Sequence, residues 1–321
     1  MKNWQLNVQQ KEKLMAGTII LVGALVMFGQ VIDSQLTAES DWVTTIKTYI
    51  DPVQYMVGML CINLILVYVA IKKHEQIPNP LLNVLKWNFT LLFIDDFLIL
   101  FMRVIQNNNL IALKSSLTLG MGKTYMMMAT IRSLTDLTFT SAATLLLVYG
   151  LNRYSSVSEP PKGLPKLGRI MCWLVAVQWL VSIPISFSAF ISSRLLFSFS
   201  LGLSQFSQIA VAAMMFWTVK ENYQKYRTKF FRFLNQYYVI TLAITGLVLT
   251  YSIGSFGVLQ RFPAGESAVV GGFGSIVFYL SRLAYIVLNY LMFQAITNYR
   301  EAGNSFDNHD VSAQTGEFIR G

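Results

Sequence analysis

Eight apolar stretches of about twenty residues or more divide this chain, near residues 15–32, 53–71, 83–105, 126–151, 169–190, 195–218, 236–258 and 268–297. Roughly 20 apolar residues let a helix cross a hydrocarbon core of about 30 Å, so each stretch reads as a membrane span. The basic residues then sort by side. With the connections numbered alternately, 16 of the 25 Lys and Arg residues fall on one set. That set is the N-terminus, loops 72–82, 152–168 (with Arg169 at its edge) and 219–235, and the tail from 298. The opposite connections hold five: Lys47, Lys114, Lys123, Arg194 and Arg261. Short cytoplasmic loops collect Lys and Arg, and translocated ones do not. The sequence therefore predicts an all-α, polytopic transmembrane helix bundle with both termini in the cytoplasm.

Composition agrees. Hydrophobic residues make up 54% of the chain and charged ones 13%, with a mean hydropathy of +0.49, too apolar for a soluble chain of this length. The net charge of +9 does not imply nucleic acid, because the basic residues flank the spans and account for topology and for attraction to anionic lipid. The lipid bilayer is the expected partner. The two histidines, His74 and His309, both lie outside the spans. No span thus offers an imidazole for haem, zinc or copper, and no cofactor or metal is expected. Cys61 and Cys172 each sit in an apolar span and read as small buried hydrophobes without a disulfide.

The chain divides into a cytoplasmic N-terminus (1–14), a transmembrane bundle (15–297) and a polar, disordered cytoplasmic tail (298–321). Lys2, Lys11 and Lys13 before the first apolar run resemble the start of a signal peptide. The run is long, however, and Phe28-Gly29-Gln30-Val31 offers no small-residue cleavage site, so the reading is a retained helix. Residues 33–52 carry Asp33, Glu39, Asp41 and Asp51 against Lys47, as an external connection would. Pro160, Pro161 and Pro165 break the linker 152–168. Loop 219–235 has neither Pro nor Gly, so the helices on either side are expected to project past the membrane. Ile191-Ser192-Ser193-Arg194 is short enough to demand a tight hairpin, and Arg194 itself reads as an interfacial anchor. The sequon Asn88-Phe89-Thr90 lies inside a span and should stay unmodified.

Ionisable groups in hydrocarbon cost several kcal/mol unless paired, which makes them the first functional candidates. The third span holds Asp95, Asp96 and Arg103, the fourth Arg132 and Asp136, and the eighth Arg282. Counting from the outer ends puts Asp95, Asp96, Asp136 and Arg282 near mid-membrane, with Arg132 further out. Arg132 and Asp136 share a helix face, as do Asp96 and Arg103, and Arg132 could also reach Asp95 or Asp96 across an antiparallel interface. Asp95 and Asp96 need cations nearby to stay ionised together. Ser133, Thr135, Thr138, Thr140, Ser141 and Thr144 make the fourth span unusually rich in hydroxyls, as a helix lining the bundle interior would be. These charges read either as a packing network or as a ligand or ion site formed by Asp95, Asp96, Arg132, Asp136 and Arg282. No span has a histidine beside a nucleophile, and no second acidic cluster accompanies Asp95-Asp96, so no enzyme is expected.

With the first segment set aside, the other seven spans have the inside and outside loops of a G-protein-coupled receptor. The third of the seven ends in Leu147-Val148-Tyr149-Gly150-Leu151-Asn152-Arg153-Tyr154, which resembles the D/E-R-Y motif of that family, with Asn152 in place of the acid. Asp95 or Asp96 is similar to the sodium-binding acid of rhodopsin-like receptors. Trp173 and Pro184 are similar to the Trp and Pro of the fourth receptor helix, and Asn289-Tyr290 with Tyr299 to the N-P-x-x-Y region, here without its proline. The last span has no lysine, which excludes a retinal Schiff base. The resemblance, closest to a chemoreceptor-like member, implies a seven-helix receptor-like core plus an extra N-terminal transmembrane helix. It also implies a small-molecule ligand, a cytoplasmic G protein or other signalling partner, and a plasma-membrane location. Arg153 and Tyr154, with the basic Lys225, Arg227 and Lys229, would then couple to that partner.

Two other classes fit the same residues. A transporter or channel would use the buried charges as a pathway, with Gly271-Gly272-Phe273-Gly274 as a break in the last helix. A non-catalytic subunit of a membrane complex would use them only to hold helices together.

Overall fold

The computed structural model describes the backbone of residues 7–35, 41–115, 119–154, 164–187, 194–261 and 267–299. Side chains are described for 7–27, 57–105, 126–154, 164–187, 200–251, 274, 276–277 and 279–299. Every regular element among these residues is a helix: α1 (Val8–Gln35), α2 (Asp41–Gln76), α3 (Pro80–Ser115), α4 (Leu119–Tyr154), α5 (Lys166–Ser186), α6 (Arg194–Tyr226), α7 (Lys229–Arg261) and α8 (Ser267–Thr297). Each helix packs against its neighbours in the chain, and α8 returns to α1 and α2, so the eight form a closed ring. Successive helices run antiparallel. One end of the bundle therefore collects the turns at 77–79 and 227–228 with Lys72, Lys73, Arg153, Lys166, Lys225 and Lys229, and is called the basic end below.

Four described segments are long and apolar enough to cross a membrane: Val57–Gln76, Met126–Tyr154, Lys166–Ser186 and Lys229–Tyr251. The outward surface fits that setting. Along α8 the exposed side chains Ile276, Leu280, Leu283 and Val287 form one apolar stripe, and along α3 Trp87, Ile94, Phe97 and Phe101 form another. A bundle in water turns polar stripes outward. Here α3 instead turns its polar residues inward, toward the site described below.

The helices run past the apolar stretches at several ends. α2 begins at Asp41 where the sequence suggested a connection as far as residue 52, and it is helical through Pro52. The break at Gly271–Gly274 that a transporter reading would use is not formed, and α8 is helical throughout. Gly274 lies against Tyr251 of α7, so its missing side chain serves a close approach and not a kink. Loop 219–235 is helical as expected except for Arg227 and Thr228. Arg227 turns the chain with φ 48°, a left-handed conformation that a non-glycine residue adopts at a cost of about 1–2 kcal/mol. Thr228 then caps α7, its hydroxyl accepting from the Phe231 amide at 3.4 Å. The turn is fixed from inside: Tyr226 stacks on Phe231, and Phe230 meets Tyr299 edge-on at 5.0 Å. The linker residues 155–163, the hairpin residues 191–193, the Arg194 side chain and the tail 300–321, with His309, lie outside the described residues.

The apolar core occupies the basic half of the bundle. Leu66, Val69 and Ala70 of α2, Leu81, Leu82 and Leu85 of α3, Val148 and Leu151 of α4, Val219 of α6, Phe230 and Leu234 of α7, and Phe293, Ala295 and Ile296 of α8 meet there, all nearly or fully buried. α1 joins through small residues. Gly58 of α2 faces Val26 of α1, Gly23 of α1 faces Ile286 of α8, and Ile19 is fully buried. A Cβ at Gly58 would lie 2.5 Å from the Val26 side chain, so the two helices touch where the glycine has no side chain. Replacing Gly58 with Leu is expected to loosen α1 and destabilise the protein by about 1–3 kcal/mol. The melting temperature in detergent reads this directly, and an unchanged value would show that α1 is not held at this contact.

Candidate functional site

Three helices aim their charges into one cavity of about 640 Å³. α3 supplies Asp95, Asp96 and Arg103, α4 supplies Arg132 and Asp136, and α8 supplies Arg282. The five ligand-site residues expected from sequence are therefore brought together. Three asparagines not assigned to that site also line the cavity: Asn63 of α2, Asn88 of α3 and Asn289 of α8. Tyr237 and Tyr285 line it too. An amide inside an apolar stretch was the signal that could have found the asparagines, since a buried amide needs partners.

The register between α3 and α4 sets the arrangement. The Asn88 amide of α3 donates to the Ala143 carbonyl of α4 at 2.5 Å. The helices are antiparallel, and seven residues from that bond along each of them stand Asp95 and Asp136. Seven residues are two turns, which returns each side chain to the same face. The two carboxyl groups accordingly lie within hydrogen-bonding reach of each other. Asp96, the next residue along α3, turns toward α2 instead, and its Oδ2 accepts from Asn63 Nδ2 at 2.6 Å. Thr140 Oγ1 donates to the Asp136 backbone carbonyl at 2.6 Å and lies 3.3 Å from Asp136 Oδ1.

Asp95 differs from the other two acids. Only 3% of its surface is exposed, and its Oδ1 is buried with no hydrogen-bond partner. On both walls the bases stand on the same side of the acids. Arg103 lies about two turns beyond Asp96 on α3, and Arg132 lies one turn before Asp136 on the antiparallel α4. Both displacements lead away from the basic end.

Ser133, Thr140 and Thr144 of α4 line the main cavity, as expected of an interior helix. Asp136, Ser133 and Thr140 also border a second cavity of about 240 Å³ against α5 and α6. There Ser133 donates to Ser186 at 3.0 Å, and Ser182 and Ser204 share a hydrogen bond of 2.7 Å. Thr135, Thr138, Thr140 and Thr144 all donate to carbonyls of their own helix, and Trp179 donates to Thr138 at 3.3 Å. Asn88, the sequon residue, is buried in helix α3.

At the basic end, Arg153 is held by aromatic rings. Its guanidinium donates to the Tyr149 hydroxyl and stands 5.4 Å from the Tyr149 ring centre and 5.6 Å from that of Tyr154. Asn152, in the place of the motif's acid, donates to the Val148 carbonyl at 2.8 Å and packs against Gly168 of α5. Lys225, Arg227 and Lys229 are exposed around the α6–α7 turn, with Lys225 over the Tyr226 ring. Trp173, the residue similar to a receptor tryptophan, is 74% exposed on the outer surface of α5, and Pro184 is accommodated within that helix.

No family model, no curated protein and no solved structure matches this chain.

The Asn63–Asp96 bond ties α2 to α3 at the cavity wall. Asn63→Ala should leave the carboxylate short of a donor and cost about 1–3 kcal/mol of stability. Asp96→Asn in the same background should recover part of that loss. Melting curves of the single and double variants in detergent test this, and an additive result would show that the bond carries no weight.

Proposed function

We propose that this protein is an integral membrane receptor-like protein that passes a ligand-induced helix rearrangement to a cytoplasmic partner, in the manner of a G-protein-coupled receptor. In this reading all eight helices span the plasma membrane, the basic end is cytoplasmic, and α1 is the extra N-terminal helix beside a seven-helix core. The packing of α1 on α2 and α8 supports its retention.

The observation that carries the proposal is the relation between the charged cavity and the core. The side chains of Asp95, Asp96, Asp136 and Arg282 line one cavity, Asp95 buried and Asp136 exposed. Between them and the basic end, on the same helices, stand Leu81, Leu82, Leu85, Val148, Leu151, Phe293 and Ile296, nearly or fully buried against one another. A pocket that ends on a close-packed apolar layer suits binding and mechanical relay, and the same layer would have to open for anything to pass through. Close-packed cores transmit displacement because they change by discrete repacking and not by smooth deformation. The helix ends beyond the layer carry Arg153, Tyr154, Lys225, Arg227 and Lys229, where a cytoplasmic partner would read the change.

Arg153→Ala tests the coupling role. In cells carrying G-protein activation reporters, at matched surface levels, basal or ligand-evoked activation is expected for the wild type and lost in the variant. Equal activation would remove Arg153 from the coupling surface. The rival transporter reading is tested with purified protein in liposomes. Ion and proton flux should stay at the level of empty liposomes, and a flux that Asp96→Asn abolishes would replace the receptor with a transporter.

A further inference from the structure

A groove opens where the first helix parts from the second. α1 touches α2 at Gly58, where an added Cβ would lie 2.5 Å from Val26, and touches α8 at Gly23. Toward the basic end a cavity of about 420 Å³ stands between residues 8–15 of α1 and 68–76 of α2. It shares no lining residue with the charged cavity described above.

The groove is amphipathic in a fixed order. Val8, Leu14 and Tyr68 give it apolar walls, all three exposed. Lys11 of α1 and Lys72 and Lys73 of α2 line it as well, with Glu12 as the opposing charge. Lys72 bonds Glu75 at 2.8 Å, and Lys73 is also engaged within the chain. An exposed pair such as Lys72–Glu75 contributes little, and an ammonium has three donors. Three lysines against these two acids leave this end of the groove net positive. From the cavity, exposed apolar side chains continue along both helices away from the basic end. They are Leu14, Leu21 and Leu25 on α1, and Tyr68, Leu64 and Val57 on α2. Steps of seven and four residues keep each set on one helix face, over about 16 Å. One leaflet is about 15 Å deep, half of a hydrocarbon core of roughly 30 Å. The matching occupant carries negative charge at the helix ends and a hydrocarbon chain that reaches the bilayer centre.

We propose that this groove holds one anionic glycerophospholipid of the leaflet at the basic end, its phosphate beside Lys11 and Lys72 and one acyl chain between the two apolar stripes. Basic pockets between membrane helices recognise lipid headgroups by the same combination of charge and concavity. The site stands apart from the charged cavity and from any ligand bound there.

The test is native mass spectrometry of the purified full-length protein in detergent, titrated with phosphatidylglycerol or with phosphatidylcholine of the same chains. One phosphatidylglycerol is expected to bind about fivefold or more tighter than phosphatidylcholine. Lys11→Gln should remove about fivefold of that preference, and Glu12→Gln should raise it. Lys13 is the control, since it is also exposed on α1 but does not line the groove. Equal losses in Lys11→Gln and Lys13→Gln would reduce the effect to general attraction between a basic surface and anionic lipid, and would overturn the site. Val8→Trp narrows the groove without changing charge and should weaken both lipids; unaltered binding would remove the acyl chain from this seat. Glycerophosphoglycerol, the headgroup without chains, should not compete, and competition by it would replace the lipid with a free phosphate ester. A dimer in place of the lipid-bound monomer, dissociated by Val8→Trp, would give the groove to a second copy of the chain. Equal binding of the two lipids by the wild type would overturn the proposal without recourse to any variant.

Discussion

Polar groups held in the middle of a helical bundle must find their partners within the bundle, and most of this molecule follows from that requirement. An ionised side chain facing hydrocarbon costs several kcal/mol, and an unsatisfied buried amide costs a similar order. The chain places Asp95, Asp96 and Arg103 on one helix, Arg132 and Asp136 on a second and Arg282 on a third, and the helices associate so that all six face the same space. Asn88 bridges α3 to α4, and Asn63 bridges α2 to α3, so neutral amides set the register in which the charged groups meet. A register slip of one residue would turn these groups toward the apolar outer surface.

The same requirement separates the two halves of the bundle. Hydroxyls, amides and charges keep the cavity half open, because paired polar groups hold helices apart by the length of their side chains. In the basic half the facing residues are Leu, Val, Ala and Phe, which interdigitate to close contact. The change from one regime to the other falls on α3 between Leu85 and Asp95 and on α4 between Val148 and Asp136. A displacement of either helix at the cavity must therefore be carried through a layer that packs in only a few ways.

Small residues and aromatic pairs fix what the charges do not. Gly58 and Gly23 bring α1 against α2 and α8, and Gly274 admits Tyr251. At the α6–α7 turn, the left-handed Arg227 is held by rings on both sides of it in the chain, Tyr226 on Phe231 and Phe230 on Tyr299. Arg153 is likewise settled against two tyrosines, Tyr149 and Tyr154. Rings can stand in for an acid because their faces carry negative charge density.

The sequence alone determined the helical class, the positions of the helices and the alternation of their ends, since hydropathy and the distribution of Lys and Arg depend on residue type and spacing. It also singled out Asp95, Asp96, Arg132, Asp136 and Arg282, because charge in an apolar stretch is conspicuous without knowledge of neighbours. Tertiary structure decided the rest. Whether those charges converge depends on the rotation and register of separate helices, and that was set by Asn63 and Asn88, residues whose partners lie 33 and 55 positions away. Gly271–Gly274 looked like a break because glycine weakens an isolated helix, and only the presence of α7 made Gly274 a contact. The turn at Arg227 left no mark in residue type, because a left-handed conformation at a non-glycine position is imposed by the packing on either side of it.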